Sequence, residues 1–545
     1  MIPAAPRFIF VTGGVVSSVG KGIAAASIGA LLQARGFSVR LKKLEPYINV
    51  DPGTINPYKH GEVYVTDDGG ETDLDMGHYE RFTGVPTRSI DLLTTGKVYS
   101  AVIARERRGD YLGSDIQVVP HITDEIKHRV LFSVENVDFV ICEVGGTVGD
   151  IEGLPFLEAI RQLRNDLGRE RSVNVHLTLL PYIASAGELK TKPSQHSVRE
   201  LLRTGIQPEF LICRSTQGFE ETTRKKLALF CNVPETHIVD APDASSIYQI
   251  PLNFHKSDLD GALCQYFSLS SPRIDLKKWE NLLIKLQSPK DTLRLGIFGK
   301  YAHFLEAYKS LQEAIAHAGG AQDVKIDVRW VDTEDIGSVQ AALPEVQAMI
   351  VPGGFGARGV PGKLQVIQYA REHKIPFLGI CLGLQLVIIE AARHLLALPE
   401  ASSTEFGETS EPVIALMIEW MQGEQLQRRT AQGDLGGTMR LGAYPCTIIQ
   451  GTKLAAVYDG KKEVSERHRH RYEVNSAYKE RLEEVGLRFS GLSPDGDLLE
   501  AVEYKDHPWF VAVQYHPEFK SRPFAPHPLF VHLVQAALHQ KKSKR

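Results

Sequence analysis

Short apolar runs and helix-period stretches alternate twice along the chain. In the first block the run Arg7–Thr12 (RFIFVT) ends in glycines. Phe139–Val144, Asn174–Leu180 and Phe210–Cys213 are further runs with the length of strands buried on both faces. Between them Gly22–Arg35 and Leu154–Leu167 repeat apolar residues at helical spacing. Such alternation predicts a parallel sheet covered by helices. The pattern changes over Ser270–Thr292, where Ser271-Pro272 and Ser288-Pro289 bracket one polar, helix-like segment. We place a linker at 271–292, between a domain over 1–270 and another over 293–545. The second block opens with LRLGIFGKY from Leu293, and Ala348–Val351 and Ile375–Gly379 each run into a glycine turn. The predicted fold is α/β, with two doubly wound parallel-sheet domains. The polar stretch Gln422–Gly437 is expected to be a mobile loop and the basic tail His539–Arg545 to fray. No internal repeat is present.

Composition narrows the class. A chain of 545 residues that is 43% hydrophobic and 23% charged is that of an ordinary globular protein of several domains. Lys and Arg number 62 against 66 Asp and Glu, so no overall basic field favours a nucleic-acid polymer. Met1–Arg7 lacks the features of a signal peptide. The longest apolar stretch, Phe377–Glu390, is interrupted by Gln385, short of the roughly 18 residues a spanning helix needs. Six scattered cysteines without a CxxC pair argue against a disulfide framework or zinc knuckle, and favour a reduced, cytoplasmic setting without a membrane partner.

Two motifs carry chemistry. Thr12-Gly-Gly-Val-Val-Ser-Ser-Val-Gly-Lys-Gly22 joins a strand to a helix, where glycines let backbone N–H groups face a phosphate and Lys21 reaches its outer oxygens. It departs from the usual phosphate loop: five residues, not four, separate Gly14 from Gly20, and Gly22 replaces the metal-binding Ser or Thr. On these residues alone a ligand-free glycine turn stays open. Magnesium then needs other hard oxygens, and Glu143, ending an apolar strand, and Asp75, in an acidic turn, are the candidates. Lys190-Thr-Lys-Pro-Ser-Gln195, with Lys43 and Lys226, suits a second polyphosphate or else a plain basic turn.

The second motif is Gly379-Ile-Cys381-Leu-Gly383, a nucleophile elbow with cysteine in the serine position. The following helix N-terminus favours thiolate. His516 and Glu518 in Gln514-Tyr-His-Pro-Glu518 are two apart, so in extended chain they point to one side, and Pro517 biases His516 toward that conformation. Glu518 can then hold the imidazole as the acid of a triad does. N–H groups of Pro352-Gly-Gly-Phe-Gly356 and of Leu382 are candidates for an oxyanion hole.

These residues carry a family resemblance. GICLG, HPE and PGGFG resemble a class I, triad-type glutamine amidotransferase. The first block resembles the CTP synthase family through FVTGGVVSSVGKG, EPYINVDPGT, HGEVYVTDDGGETDLDMGHYERF, CEVGGTVGDIE, GELKTKPSQHSV and LALFCNVP, as do STEF, DLGGTMRLG and ERHRHRYEVN further on. The likeness covers nearly the whole chain. It implies a P-loop-like synthetase domain and a class I glutaminase domain that use ATP to aminate UTP to CTP with ammonia from L-glutamine.

By position, the resemblance implies that Ser18, Val19, Gly20, Lys21, Gly22, Ile23, Lys43 and Asp75 bind ATP, with Pro242, Asp243 and Ala244 on the adenine side. Pro242 stands where many relatives have Lys. It implies that Asp75 and Glu143 hold Mg²⁺. UTP and CTP would be bound by Ser17, Lys190, Thr191, Lys192, Pro193, Ser194, Gln195 and Lys226, with Asp150, Ile151 and Glu152 contacting CTP. Gly354, Leu382, Gly383, Leu384, Gln385, Glu405 and Arg471 would bind glutamine, and Cys381, His516 and Glu518 would be catalytic. CTP as inhibitor, GTP as activator and a homotetramer are implied in the same way. A ligase for another acceptor and a partitioning ATPase with a dead glutaminase fold remain rivals at this point. The apparent second polyphosphate site argues against the first, and the complete Cys-His-Glu set against the second.

Overall fold

The computed structural model describes residues 5–270, 273–416, 419–422, 425–428 and 439–543. They form two compact units. One comprises Met1–Pro52 and Asp75–Leu283, the other Gly53–Leu74 and Ile284–Arg545.

In the first unit seven parallel strands form one sheet: β1 (Arg7–Gly13), β2 (Val39–Glu45), β3 (Leu92–Thr94), β4 (Phe139–Val144), β5 (Ser172–Leu180), β6 (Phe210–Ser215) and β7 (Ile238–Pro242). Their order is β7-β6-β5-β1-β4-β2-β3. The helices α1 (Lys21–Ala34), α2 (Leu154–Leu167) and α3 (Lys192–Arg203) follow β1, β4 and β5. The strands read as apolar runs because helices cover both faces: Phe8, Ile9, Phe10 and Val11 are all fully buried. Each buried phenylalanine contributes about 1.5–3 kcal/mol. The chain leaves β1 toward β2 on one side and later returns to β5 on the other. Past the C-terminal end of β1 lies the crevice such sheets use for ligands, and the glycine loop starts there. Register completes the placement, since Glu143 on β4 sits beside both Val11 of β1 and Lys43 of β2.

The second unit has a nine-stranded sheet. Its strands are β8 (Asp291–Gly299), β9 (Val324–Asp332), β10 (Ala348–Val351), β11 (Phe377–Ile380), β12 (Arg440–Ile448), β13 (Glu463–His470), β14 (Leu487–Leu492), β15 (Leu499–Tyr504) and β16 (Phe510–Val513). The order is β9-β8-β10-β11-β16-β15-β14-β12-β13. The first five are parallel, as the alternating pattern implies, and the sheet then continues through antiparallel strands. The connection between β15 and β16 is too short for a crossover, which needs a dozen or more residues. Three helices matter for the site: α4 (Lys309–Ala321), α5 (Val360–His373) and α6 (Leu382–His394).

Within the expected linker a helix forms over Lys277–Gln287, with Trp279 buried against Phe82 and Tyr248. The tail differs from the expectation of fraying. Residues 539–543 continue the helix Pro528–Ser543, and Lys541 pairs with Asp291 at 2.7 Å. Residues 544–545 lie outside the described residues. So does most of the loop expected at 422–437, whose residues 425–428 form a ladder with 419–422. Among the described residues no helix is long and apolar enough to cross a membrane.

Candidate active sites

The loop after β1 turns three times through left-handed backbone, at Val15, Ser18 and Gly20 (φ 78°, 57° and 99°), before α1 begins. Gly14 has no room for a side chain, because a Cβ there would overlap Ser197. Lys21 is buried and donates to the Gly146 carbonyl at 2.7 Å; burial lowers it below the usual lysine range, against the pull of Glu143. A Cβ on Gly22 would overlap the Asp75 carboxylate. The glycine in place of the usual hydroxyl residue thus has a cause: an acid from elsewhere in the chain fills that space.

Asp75 and Glu143 share one ammonium. Lys43 Nζ donates to Asp75 Oδ2 at 2.7 Å and to Glu143 Oε1 at 2.8 Å, and the Tyr79 hydroxyl donates to the other Glu143 oxygen. Glu45 lies 3.6 Å from the same ammonium. Burial raises Glu45 above the usual carboxylate range, against the pull of Lys43. Among the described residues no three His, Cys, Asp or Glu side chains form a metal cluster. Two hard oxygen donors beside a phosphate loop nonetheless fit Mg²⁺, which uses few carboxylates and keeps water and phosphate as its other ligands.

The basic motif opens α3. Thr191, Ser194 and Gln195 are buried, with Gln195 Nε2 donating to Thr191 Oγ1 at 3.1 Å and Thr178 Oγ1 to Ser194 Oγ at 3.0 Å. Lys190 is half-buried and paired with Glu188, and Lys192 is exposed, 5.5 Å over the Phe230 ring. Pro193 follows within the first turn of α3. Lys226 is exposed and acts on Glu188 as well. Ser17 is exposed on the glycine loop. Asp150, Ile151 and Glu152 are exposed in the turn before α2, where Asp150 accepts from the Thr147 N–H at 3.0 Å.

Two residues that the sequence did not single out join these pieces. His176 Nδ1 bonds Thr12 at 2.9 Å and its Nε2 bonds Ser197 at 2.8 Å, tying β1 to α3; burial and Lys21 push this imidazole down to about 3. Arg214 donates to the Ser18 carbonyl at 3.1 Å and meets Asp243 Oδ1 at 3.0 Å. It borders a cavity of about 420 Å³ that Val19, Ile23, Pro242, Asp243 and Ala244 also line. A lone arginine ending a buried strand was the available signal.

In the second unit Cys381 has φ 53° and ψ −104°, a strained conformation for a residue with a side chain. The close approach requires glycine at Gly383, where a Cβ would overlap the Val351 carbonyl. Ile380 pairs with Val513, and Cys381 N donates to the Val513 carbonyl at 2.7 Å, which brings His516 alongside. His516 Nδ1 bonds Glu518 Oε1 at 2.7 Å. Its Nε2 makes no hydrogen bond of ordinary geometry among the described residues, and the Cys381 sulfur is near enough to act on the ring. Burial opposes the imidazolium, yet Glu518 and Cys381 outweigh it and push His516 up to about 10. The expected extended chain is not what aligns the pair: Pro517–Lys520 is a 3₁₀ turn, with Phe519 stacked on the imidazole at 5.1 Å. Proline fits the first turn of a helix as well as it fits extended chain.

Beside the thiol lies the Pro352–Gly356 turn. Lys300 Nζ donates to the Phe355 carbonyl at 2.5 Å and Gly356 N to Glu405 Oε1 at 2.7 Å. Burial raises Glu405, against its bond to Gly356. Gly354 lies against Leu382, and a Cβ on it would stand 3.8 Å from Nζ of Lys363, a fully buried amine that burial drives down to about 7. Leu384 and Gln385 are buried in the first turn of α6, where Gln385 Nε2 donates to the Tyr472 carbonyl at 2.9 Å. Arg471 lies 5.9 Å over the Phe355 ring. A cavity of about 190 Å³ is lined by Gly353, Gly354, Cys381, His516, Arg469 and Glu62, among others.

Comparison with known proteins agrees with both halves of this description. The family described as CTP synthase N-terminus matches residues 7–269, and glutamine amidotransferase class-I matches 303–536. The chain is 58% identical to the CTP synthase of Paramagnetospirillum magneticum over 538 residues, covering 98% of this chain and 99% of that one. It is 57% identical to the CTP synthase of Gluconobacter oxydans over 542 residues, covering 99% and 100%. A solved structure of the Trypanosoma brucei CTPS glutaminase domain with bound acivicin is 35% identical, covers 45% of this chain and 94% of its own, and has a TM-score of 0.41.

Proposed function

The chain belongs to the CTP synthase family, and from that premise we propose how its own side chains divide the reaction. The family's reaction is the ATP-dependent amination of UTP to CTP through UTP phosphorylated at O4, with glutamine as nitrogen donor.

In the first unit ATP lies along Ser18–Ile23. Lys21 exchanges its bond to Gly146 for a phosphoryl oxygen, and Lys43 adds a second charge against the transferring group. The adenine sits by Pro242, Asp243 and Ala244, with Arg214 at its edge. Asp75 and Glu143 would hold Mg²⁺, which when bound neutralises charge on the phosphates. Ser17, Lys190–Gln195 and Lys226 take the triphosphate of UTP. CTP carries the same triphosphate and so competes there, with Asp150–Glu152 meeting its nucleoside end.

In the second unit Cys381 attacks the carboxamide carbon of glutamine. His516 passes the proton to the leaving ammonia, Glu518 orients the ring, and water then releases glutamate from the thioester. Gly354 and Leu382 offer N–H groups to the oxyanion, while Gly383, Leu384, Gln385, Glu405 and Arg471 form the rest of the glutamine site. Ammonia moves internally, because in neutral water it would be protonated and unreactive. GTP as activator, a homotetramer and a cytoplasmic setting complete the reading. The six cysteines, all buried thiols, support the last of these.

The observation that carries this reading is the Cys381–His516–Glu518 arrangement in a chain whose other half has a phosphate loop. The test is CTP formation from UTP, ATP and either glutamine or an ammonium salt, read by separation of the nucleotides. Both nitrogen sources should yield CTP; ATP hydrolysis without CTP would sink the reading.

A further inference from the structure

Residues 53–74 precede Asp75 directly and lie within the span matched by the N-terminal family, yet they pack in the unit that carries Cys381. They are held at several points. The Glu62 carboxylate accepts from Ser310 N, in the first turn of α4, at 3.0 Å, and the Tyr64 hydroxyl donates to the Phe519 carbonyl at 3.0 Å. Two further ties come from arginines of β13. Arg467 and Arg469 are two apart on that strand and point to one face. Arg467 Nε meets Asp67 Oδ1 at 2.6 Å, and its Nη1 donates to the Tyr64 hydroxyl at 2.7 Å.

Arg469 stands apart because it also reaches the reacting side. Its Nε donates to Glu71 Oε1 at 2.8 Å and its Nη2 to the Gly53 carbonyl at 3.1 Å. The same guanidinium lies 5.2 Å over the ring of Phe355, the residue after Gly354. The Arg469 backbone carbonyl faces the Cys381 sulfur at 3.9 Å, and the Arg469 side chain lines the cavity beside the thiol. Glu71 is buried, and its carboxylate lies close against Gly53, where a Cβ would displace it. A buried carboxylate with a bidentate-capable partner fixes that partner's plane. The guanidinium of Arg469 in turn packs over Phe355.

We propose that Arg469 is a positioning residue for glutamine hydrolysis, holding the Gly353–Gly356 turn in register with Cys381 only while Glu71 holds its guanidinium. The proposal rests on the glutaminase reading above and deepens it. The turn that meets the developing oxyanion thereby depends on an acid four residues before Asp75. A displacement of about 1 Å at such a turn costs on the order of 10-fold to 100-fold in rate.

The test is full-length protein with Glu71→Gln, Arg469→Met and Arg469→Lys, assayed with ATP and UTP present. Glutamate release should fall about 10-fold to 100-fold in kcat for Glu71→Gln and Arg469→Met, with KM for glutamine within about threefold. Synthesis of CTP from ammonium should stay within about twofold of wild type. Arg469→Lys should recover only part of the loss, since an ammonium cannot stack on Phe355 and pair with Glu71 in one plane. If Arg469→Met does not fold, Glu71→Gln carries the test alone. A wild-type hydrolysis rate in Glu71→Gln, or equal loss of both nitrogen sources, would overturn the proposal. A wild-type enzyme that makes no CTP from either source would instead overturn the functional reading.

Discussion

The phosphate loop and the thiol elbow are both strand–turn–helix junctions, but different forces hold them. At the elbow the groups proposed to react already lie together: Cys381 is strained into place by its neighbours, and His516 bonds Glu518 at 2.7 Å. At the glycine loop the charged groups are occupied by partners within the protein. Lys21 bonds Gly146, and Lys43 bridges Asp75 and Glu143. The Lys43 pairs keep buried charge compensated, and in the proposed reaction a substrate takes over from them. A prebuilt site suits a step that needs a nucleophile and its proton carrier aligned from the start, whereas an exchange of partners suits a highly charged substrate.

The sharpest way to break this comparison is to remove one reacting group from each junction. Cys381→Ala should abolish glutamine-dependent CTP formation, because no thioester can form, and leave ammonium-dependent formation near wild type. Loss of both in a folded variant would mean that the two junctions do not act separately. Lys21→Ala should lower the rate with either nitrogen source by on the order of 10²-fold, since phosphoryl transfer precedes amination. Steady-state rates at saturating ATP decide this, and near wild-type turnover would remove Lys21 from the phosphate site. The smallest effect concerns regulation. Glu152→Lys should weaken inhibition by CTP by on the order of 10-fold while the KM for UTP moves only a few-fold. Titration of CTP at fixed UTP measures it; equal loss of both affinities would place the two bases in one pocket.

What could be read in advance followed sequence distance. Cys381 with its flanking glycines and His516 with Glu518 are short-range patterns, and the parallel sheets follow from apolar runs such as Phe139–Val144. The 3₁₀ turn at Pro517 was misjudged because proline is compatible with both local structures. Arg214, His176 and Arg469 were missed for a different reason. Their contacts come from partners brought close only by packing, as with Glu71 and Arg469, and no local pattern marks them. The antiparallel half of the second sheet was likewise set by the length of connections rather than by the apolar pattern.

The overlap between Gly22 and Asp75 has a consequence for how this chain can vary. A Cβ at 22 and the Asp75 carboxylate would occupy one volume. A side chain can enter at 22 only if the one at 75 withdraws. A hydroxyl-bearing residue at 22 therefore displaces the Asp75 carboxylate from its place beside Lys43.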